Sequence, residues 1–169
     1  LYGVAELLVK AAPLALIGVG LAIGFRAGVW NIGAEGQLTL GAIAGGAIAL
    51  AAGESAAADT IVLMLVAGAA GGMLWGAIPA LLRTRWGANE ILVSLMLNYV
   101  AALFLGYLVH GPLRDPDGYN FPESKLFADG ALLPVLLDGT RLHAGILMAA
   151  IAIAASAFFI HRTFRGFQM

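Results

Sequence analysis

Apolar residues run through this 169-residue chain in blocks too long and unbroken for strands. Barrel strands would alternate apolar and polar positions over about ten residues, whereas a helix crossing a bilayer needs about 20 mostly apolar ones. Five blocks meet or approach that length, at residues 7–25, 28–52, 61–82, 91–109 and 144–160. The uninterrupted part of the second begins only at Leu38. Its helix reaches across a membrane only by starting inside the polar stretch before it, which predicts a broken, discontinuous second helix. The pattern as a whole predicts an all-α, polytopic transmembrane helix bundle.

Polar positions stand out against this background. Phe25 to Gln37 forms a glycine-punctuated island carrying Arg26, Asn31, Glu35 and Gln37 between two apolar runs. Such groups are costly at membrane depth unless they pair or line a wet cavity, and irregular backbone there must be satisfied by protein or water. Two readings stay open. The island is a cytoplasmic turn in which Arg26 or Arg83 pairs with Glu35, or Asn31, Glu35 and Gln37 lie along a translocation route. In the fourth block Glu90, Ser94 and Asn98 recur every four residues and share one helix face. Asn98 lies about 12 Å beyond Glu90 along the axis. Ser94 and Asn98 either make interhelical hydrogen bonds or line the same route.

Glycine spacing adds a packing expectation. Gly20, Gly24 and Gly28 recur every four residues, as do Gly41 and Gly45, and Gly68, Gly72 and Gly76. Small residues at that interval let helix backbones approach closely where lipid is as apolar as the side chains.

Composition agrees with a membrane protein: 61% hydrophobic, 11% charged, mean hydropathy +0.92, against about a quarter charged in soluble domains. A net charge of −1 offers no basic field for nucleic acid. Zero cysteines excludes disulfides, thiol catalysis and cysteine zinc sites. No phosphate-binding G-x-x-x-x-G-K-[ST], H-E-x-x-H or G-x-S-x-G occurs, and His110, His143 and His161 stand singly at block edges. No catalytic residue, metal site or cofactor is expected. Leu1 opens the chain within a few residues of apolar sequence, so the chain is expected to be part of a longer protein.

Lysine and arginine in short loops set orientation. Arg26, Arg83, Arg85, Arg162 and Arg165 fall on one side under strict alternation, which predicts that side to be cytoplasmic and the N-terminus outside. Residues 53–60 and 111–141 then face outward. The longer of these loops is expected to fold against the outer face, with Asp115, Asp117 or Arg141 as contacts for a docked protein.

The stretches Arg26 to Gln37 and Asn89 to Tyr99 resemble the permease subunits of bacterial ABC importers for nucleosides and simple sugars, a group similar to the ribose and branched-chain amino acid permeases. The likeness extends from Pro13 to Met169. It implies a multi-pass protein of the bacterial cytoplasmic membrane, surrounded by membrane lipid, that passes a small-molecule substrate. It also implies a second permease subunit, cytoplasmic ATP-binding subunits that hydrolyse ATP, and an extracytoplasmic solute-binding protein. Members are about twice this length, so a further N-terminal helix and the segment contacting the ATPase are expected outside these residues. An ion-coupled secondary transporter working through Glu35, and a non-transporting structural subunit, are the alternative classes.

Overall fold

The computed structural model describes residues 2–119 and 121–163. The terminal stretch 164–169, with Arg165 and most of the segment expected on the cytoplasmic side after the last helix, lies outside the described residues. Five helices account for most of the chain: α1 (Tyr2–Arg26), α2 (Ala34–Ala52), α3 (Ala58–Trp86), α4 (Glu90–His110) and α5 (Gly145–Arg162). All five are long and apolar enough to cross a membrane, α2 when its 3-10 extension to Ser55 is included. No strand forms among the described residues; Arg114–Ser124 and Val135–His143 are isolated bridges.

Most helices extend past the apolar blocks that announce them, because end turns tolerate charge. Glu6 sits inside α1 ahead of its block, and Arg83 and Arg85 inside α3 beyond its block, where long side chains can reach towards an interface. The second segment differs more. It was expected to begin at residue 28 and to be broken, yet α2 starts at Ala34 and runs uninterrupted to Ala52. The break lies before it. Gly28 N–H donates to Phe25 O at 3.1 Å and Val29 N–H to Gly24 O at 2.9 Å, the two bonds that close a helix C-terminus around a left-handed residue. Gly28 holds that conformation, at φ +73°, which a side chain would resist. It therefore ends α1 rather than packing a helix.

The helices group into two compact units. In the first, α1 packs on α5, with Ala5, Ala12 and Ala149 buried. The segment leading into α5 turns back on itself through Leu136 N–H to Leu142 O at 2.7 Å and Ala144 N–H to Pro134 O at 3.0 Å. Within this unit Arg141 Nη1 stands 3.9 Å from Glu6 Oε2.

The second unit, Ile32–Leu132, holds α2, α3 and α4. Its closest contact is α2 on α3. A methyl at Gly41 would meet Gly68 O at 2.9 Å, one at Gly45 would meet Met64 O at 3.0 Å, and one at Gly72 would meet Gln37 O at 3.2 Å. Gly71, which the four-residue spacing misses, is as tight: a methyl there would meet Leu40 O at 2.9 Å. By contrast nothing lies within 4 Å of a methyl at Gly20, and one at Gly24 would meet only Val29 O of the turn that follows.

Among the described residues the buried ones are small: six alanines, Thr60 and Ser94, with Pro79 and four glycines, and no large side chain is fully enclosed. Leu74, Leu103, Met73 and Ile151 are more than two-thirds exposed. Such an arrangement cannot be held by the hydrophobic effect in water. It suits apolar surroundings, where backbone proximity and hydrogen bonds hold helices together.

Between α4 and α5 the chain takes a long excursion. Its first part lies on the second unit: a methyl at Gly46 of α2 would stand 3.3 Å from the Phe127 ring, and Gly130 abuts the Ala56 carbonyl. Phe127, Ser124 and Leu113 close one side of a mainly apolar cavity of about 280 Å³ beside α2 and α4. Asp115 is used internally, its carboxylate accepting the Asp117 N–H at 3.1 Å.

Candidate functional site

The turn between α3 and α4 is only Gly87, Ala88 and Asn89, and it aligns the polar face of α4. Gly87 takes a left-handed conformation, φ +65°. Asn89 caps α4, its side-chain oxygen accepting from Ile91 N–H at 3.0 Å and Leu92 N–H at 3.3 Å. Arg83 pairs with Glu90 across the turn. The base is at a helix C-terminus and the acid at a helix N-terminus, where each complements the local dipole. Arg83 is thus the partner of Glu90, and the expected alternative of Arg83 on Glu35 is not what forms.

One turn further, Ser94 is 2% exposed and its Oγ donates to Ile91 O at 3.1 Å within its own helix. Another turn brings Asn98, whose amide is used at both ends. Its Oδ1 accepts the Gly36 N–H at 2.8 Å, and its Nδ2 donates to Ile32 O at 3.0 Å. These bonds straddle the start of α2. Gly33, the N-cap, has no side chain to satisfy the first amides of that helix. An ordinary N-cap side chain accepts from the second or third helical N–H, and Gly36 is the third. Asn98 supplies that cap from another helix. It also fixes the carbonyl of Ile32, the non-helical residue preceding the cap, so these two backbone groups of the polar island are satisfied by protein.

The island's own side chains divide. Glu35 is exposed and lies in the first turn of α2; its backbone carbonyl accepts from Thr39 Oγ1 at 2.9 Å, while its carboxylate has no partner among the described residues of its unit. Gln37 is half-buried, and its side chain covers Gly76 of α3: a methyl there would meet Gln37 Nε2 at 2.7 Å. Glu35, Gln37, Ser94 and Asn98 thus belong to one unit, while Asn31, half-buried, belongs to the unit of α1. On that side Phe25 and Trp30 stack obliquely, ring centroids 5.3 Å apart.

Two members of this site had no clear mark in the sequence. Gly36 is packed so closely that a methyl would meet Asn98 Oδ1 at 2.8 Å and Trp75 Nε1 at 3.0 Å. Trp75, from α3, brings an indole N–H that is buried and makes no hydrogen bond. The one available signal was its place mid-way along an apolar run, since membrane tryptophans gather at interfaces.

Residues 3–169 match a family described as the permease component of branched-chain amino acid transport systems. A glucose ABC transporter permease protein of Haloferax volcanii is 40% identical over 178 residues, covering 99% of this chain and 46% of the relative. A guanosine ABC transporter permease protein of Bacillus subtilis is 33% identical over 173 residues, covering 100% and 49%. A nucleoside ABC transporter permease protein of Lactococcus lactis is 27% identical over 173 residues, covering 98% and 48%. The chain thus spans about half the length of the curated relatives it matches. No solved structure gives a significant match.

Proposed function

The chain belongs to the branched-chain amino acid transport permease family, and on that premise we propose that it is part of the membrane permease of an ATP-driven importer for a simple sugar or a nucleoside. The observation that carries this reading is the match over residues 3–169, which includes both polar stretches that Asn98 ties together. Relatives named for glucose and for guanosine support a neutral, polyhydroxylated solute. The protein sits in the cytoplasmic membrane and works with a second permease subunit, ATP-binding subunits and a solute-binding protein. ATP hydrolysis belongs to the ATP-binding subunits.

In this reading Glu35 and Gln37 offer hydrogen bonds along the solute route, while Asn98 holds the helix turn that presents them. Uptake of radiolabelled glucose, guanosine and related solutes by the complete complex tests it. Import of none of them in the presence of ATP and the binding protein would remove it.

Glu35 separates this mechanism from an ion-coupled one. A neutral solute needs a hydrogen bond from Glu35, not its charge. Glu35→Gln should therefore retain most uptake, and Glu35→Ala should lose roughly tenfold, as one lost hydrogen bond of about 1.4 kcal/mol implies. Abolished uptake in Glu35→Gln, with the complex assembled, would instead mark the carboxylate as an ion site.

The topology is open to a direct test, because the chain has no cysteine. Arg83, Arg85 and the Gly87–Asn89 turn are proposed to be cytoplasmic, and the long excursion after α4 external. Arg85→Cys should resist an impermeant thiol reagent in intact cells, whereas Asp117→Cys should react. Labelling at 85 from outside would invert the model.

A further inference from the structure

We infer that Trp75 is a positioning residue for transport, whose indole N–H takes the place of the Gly36 N–H on Asn98 when the start of α2 shifts. This rests on the transport reading above. The starting observation is the Trp75 Nε1 atom, enclosed by the protein and without an acceptor. Buried donors are nearly always paired, and one that is not calls for an explanation. Its neighbours supply one. Asn98 Oδ1 and Trp75 Nε1 crowd the same side of Gly36, at 2.8 and 3.0 Å from where a methyl would stand.

Asn98 Oδ1 accepts from Gly36 N–H, and it is an acceptor that shares the space beside Gly36 with the indole. A carboxamide oxygen is an acceptor with two lone pairs, and an indole nitrogen is only a donor. Two donors lie beside one oxygen, and in this arrangement only the Gly36 N–H is bonded to it. Gly36 lies in the first turn of α2, the part of that helix with fewest internal hydrogen bonds, and no side chain of its own N-cap secures it. Moving that turn away from α4 would break the Gly36 bond. The indole then satisfies the oxygen that the turn has left, so the displaced arrangement does not leave Asn98 unpaired in an apolar interior. The absence of a side chain at Gly36 leaves room for both donors beside the same oxygen. The two arrangements keep the number of hydrogen bonds to Oδ1 equal, which lowers the difference between them.

Hydrogen–deuterium exchange of the assembled complex reads the α2 first turn directly. In the wild type, exchange at residues 34–37 should rise when ATP and solute-loaded binding protein are added. With Trp75→Phe, or with the near-isosteric benzothienylalanine that lacks the N–H, resting exchange should stay as in the wild type. The turnover-dependent rise should fall, and maximal uptake should drop about tenfold, the factor that 1.4 kcal/mol represents, with half-saturation unchanged. Raised resting exchange in the isosteric variant would show a packing role and overturn the exchange of donors. So would a changed half-saturation or solute preference, which would make the indole a solute contact. Uptake that persists with a Trp75-independent rise overturns this inference alone. A Trp75-dependent rise in a complex that imports nothing overturns the transport reading alone.

Discussion

Asn98→Leu is expected to lower both the stability of the assembled permease and its uptake, the latter by at least tenfold. The substitution leaves two backbone groups without partners, the Gly36 N–H and the Ile32 carbonyl. An unsatisfied buried polar group costs about 1–3 kcal/mol. Ile32 is 45% exposed, so its carbonyl loses less if water reaches it and more if lipid or a partner helix covers it. Even the Gly36 bond alone, at about 1.4 kcal/mol, corresponds to a factor of ten. Asn98→Asp separates the two bonds, because a carboxylate still accepts from Gly36 but cannot donate to Ile32 O. It should keep the start of α2 in place and lose part of the stability. Thermal unfolding of the purified complex and solute uptake in proteoliposomes check both variants. Wild-type values for Asn98→Leu would show that the first turn of α2 does not depend on the bridge from α4.

The same bridge shows what could be read from the chain and what could not. Apolar blocks announced the five helices, since block length against bilayer thickness is a strong physical constraint. Glu90, Ser94 and Asn98 share a face because of the helix repeat alone. Their partners are another matter. Asn98 bonds backbone atoms 62 and 66 positions away, and a backbone group carries no side-chain signature. Packing bond and route lining are both compatible with the type and position of Asn98, and neither names its partners. The start of α2 was equally hidden. Gly28 and Gly33 both suit a helix boundary, and only the left-handed backbone at Gly28 assigns it to the end of α1, leaving Ala34 to open the next helix. Trp75 gave the least warning of all, because its polar atom is one nitrogen on an otherwise apolar side chain.

Glycine spacing is the sharpest case, since identical patterns meet different surroundings, and it supports the second large prediction. Gly41→Ala should destabilise the chain by about 1–3 kcal/mol, the usual cost of overpacking. The added methyl would sit 2.9 Å from the Gly68 carbonyl, a backbone atom that can yield only if α2 and α3 separate. Gly41→Leu should prevent that pairing altogether. Gly20→Ala is the matched control: it belongs to the same kind of four-residue series, yet a methyl there meets nothing within 4 Å. Alanine is also favoured over glycine inside a helix by about 0.5–1 kcal/mol. That variant should therefore be neutral or slightly stabilising unless a chain outside this structure packs on α1. Thermal unfolding in detergent of the chain carrying each change gives the comparison. Loss at 41 with none at 20 ties the small-residue rule to helix contact rather than to spacing. Equal loss at both places, in the chain alone, would mean that α2 and α3 do not approach as closely as the Gly41–Gly68 contact requires. The consequence reaches Gln37, proposed above to lie on the solute route. Gln37 lies one turn before Gly41 and rests on Gly72 and Gly76 of α3, so pushing α2 from α3 moves its side chain too. Gly41→Ala should accordingly lower uptake more than its loss of assembled complex accounts for.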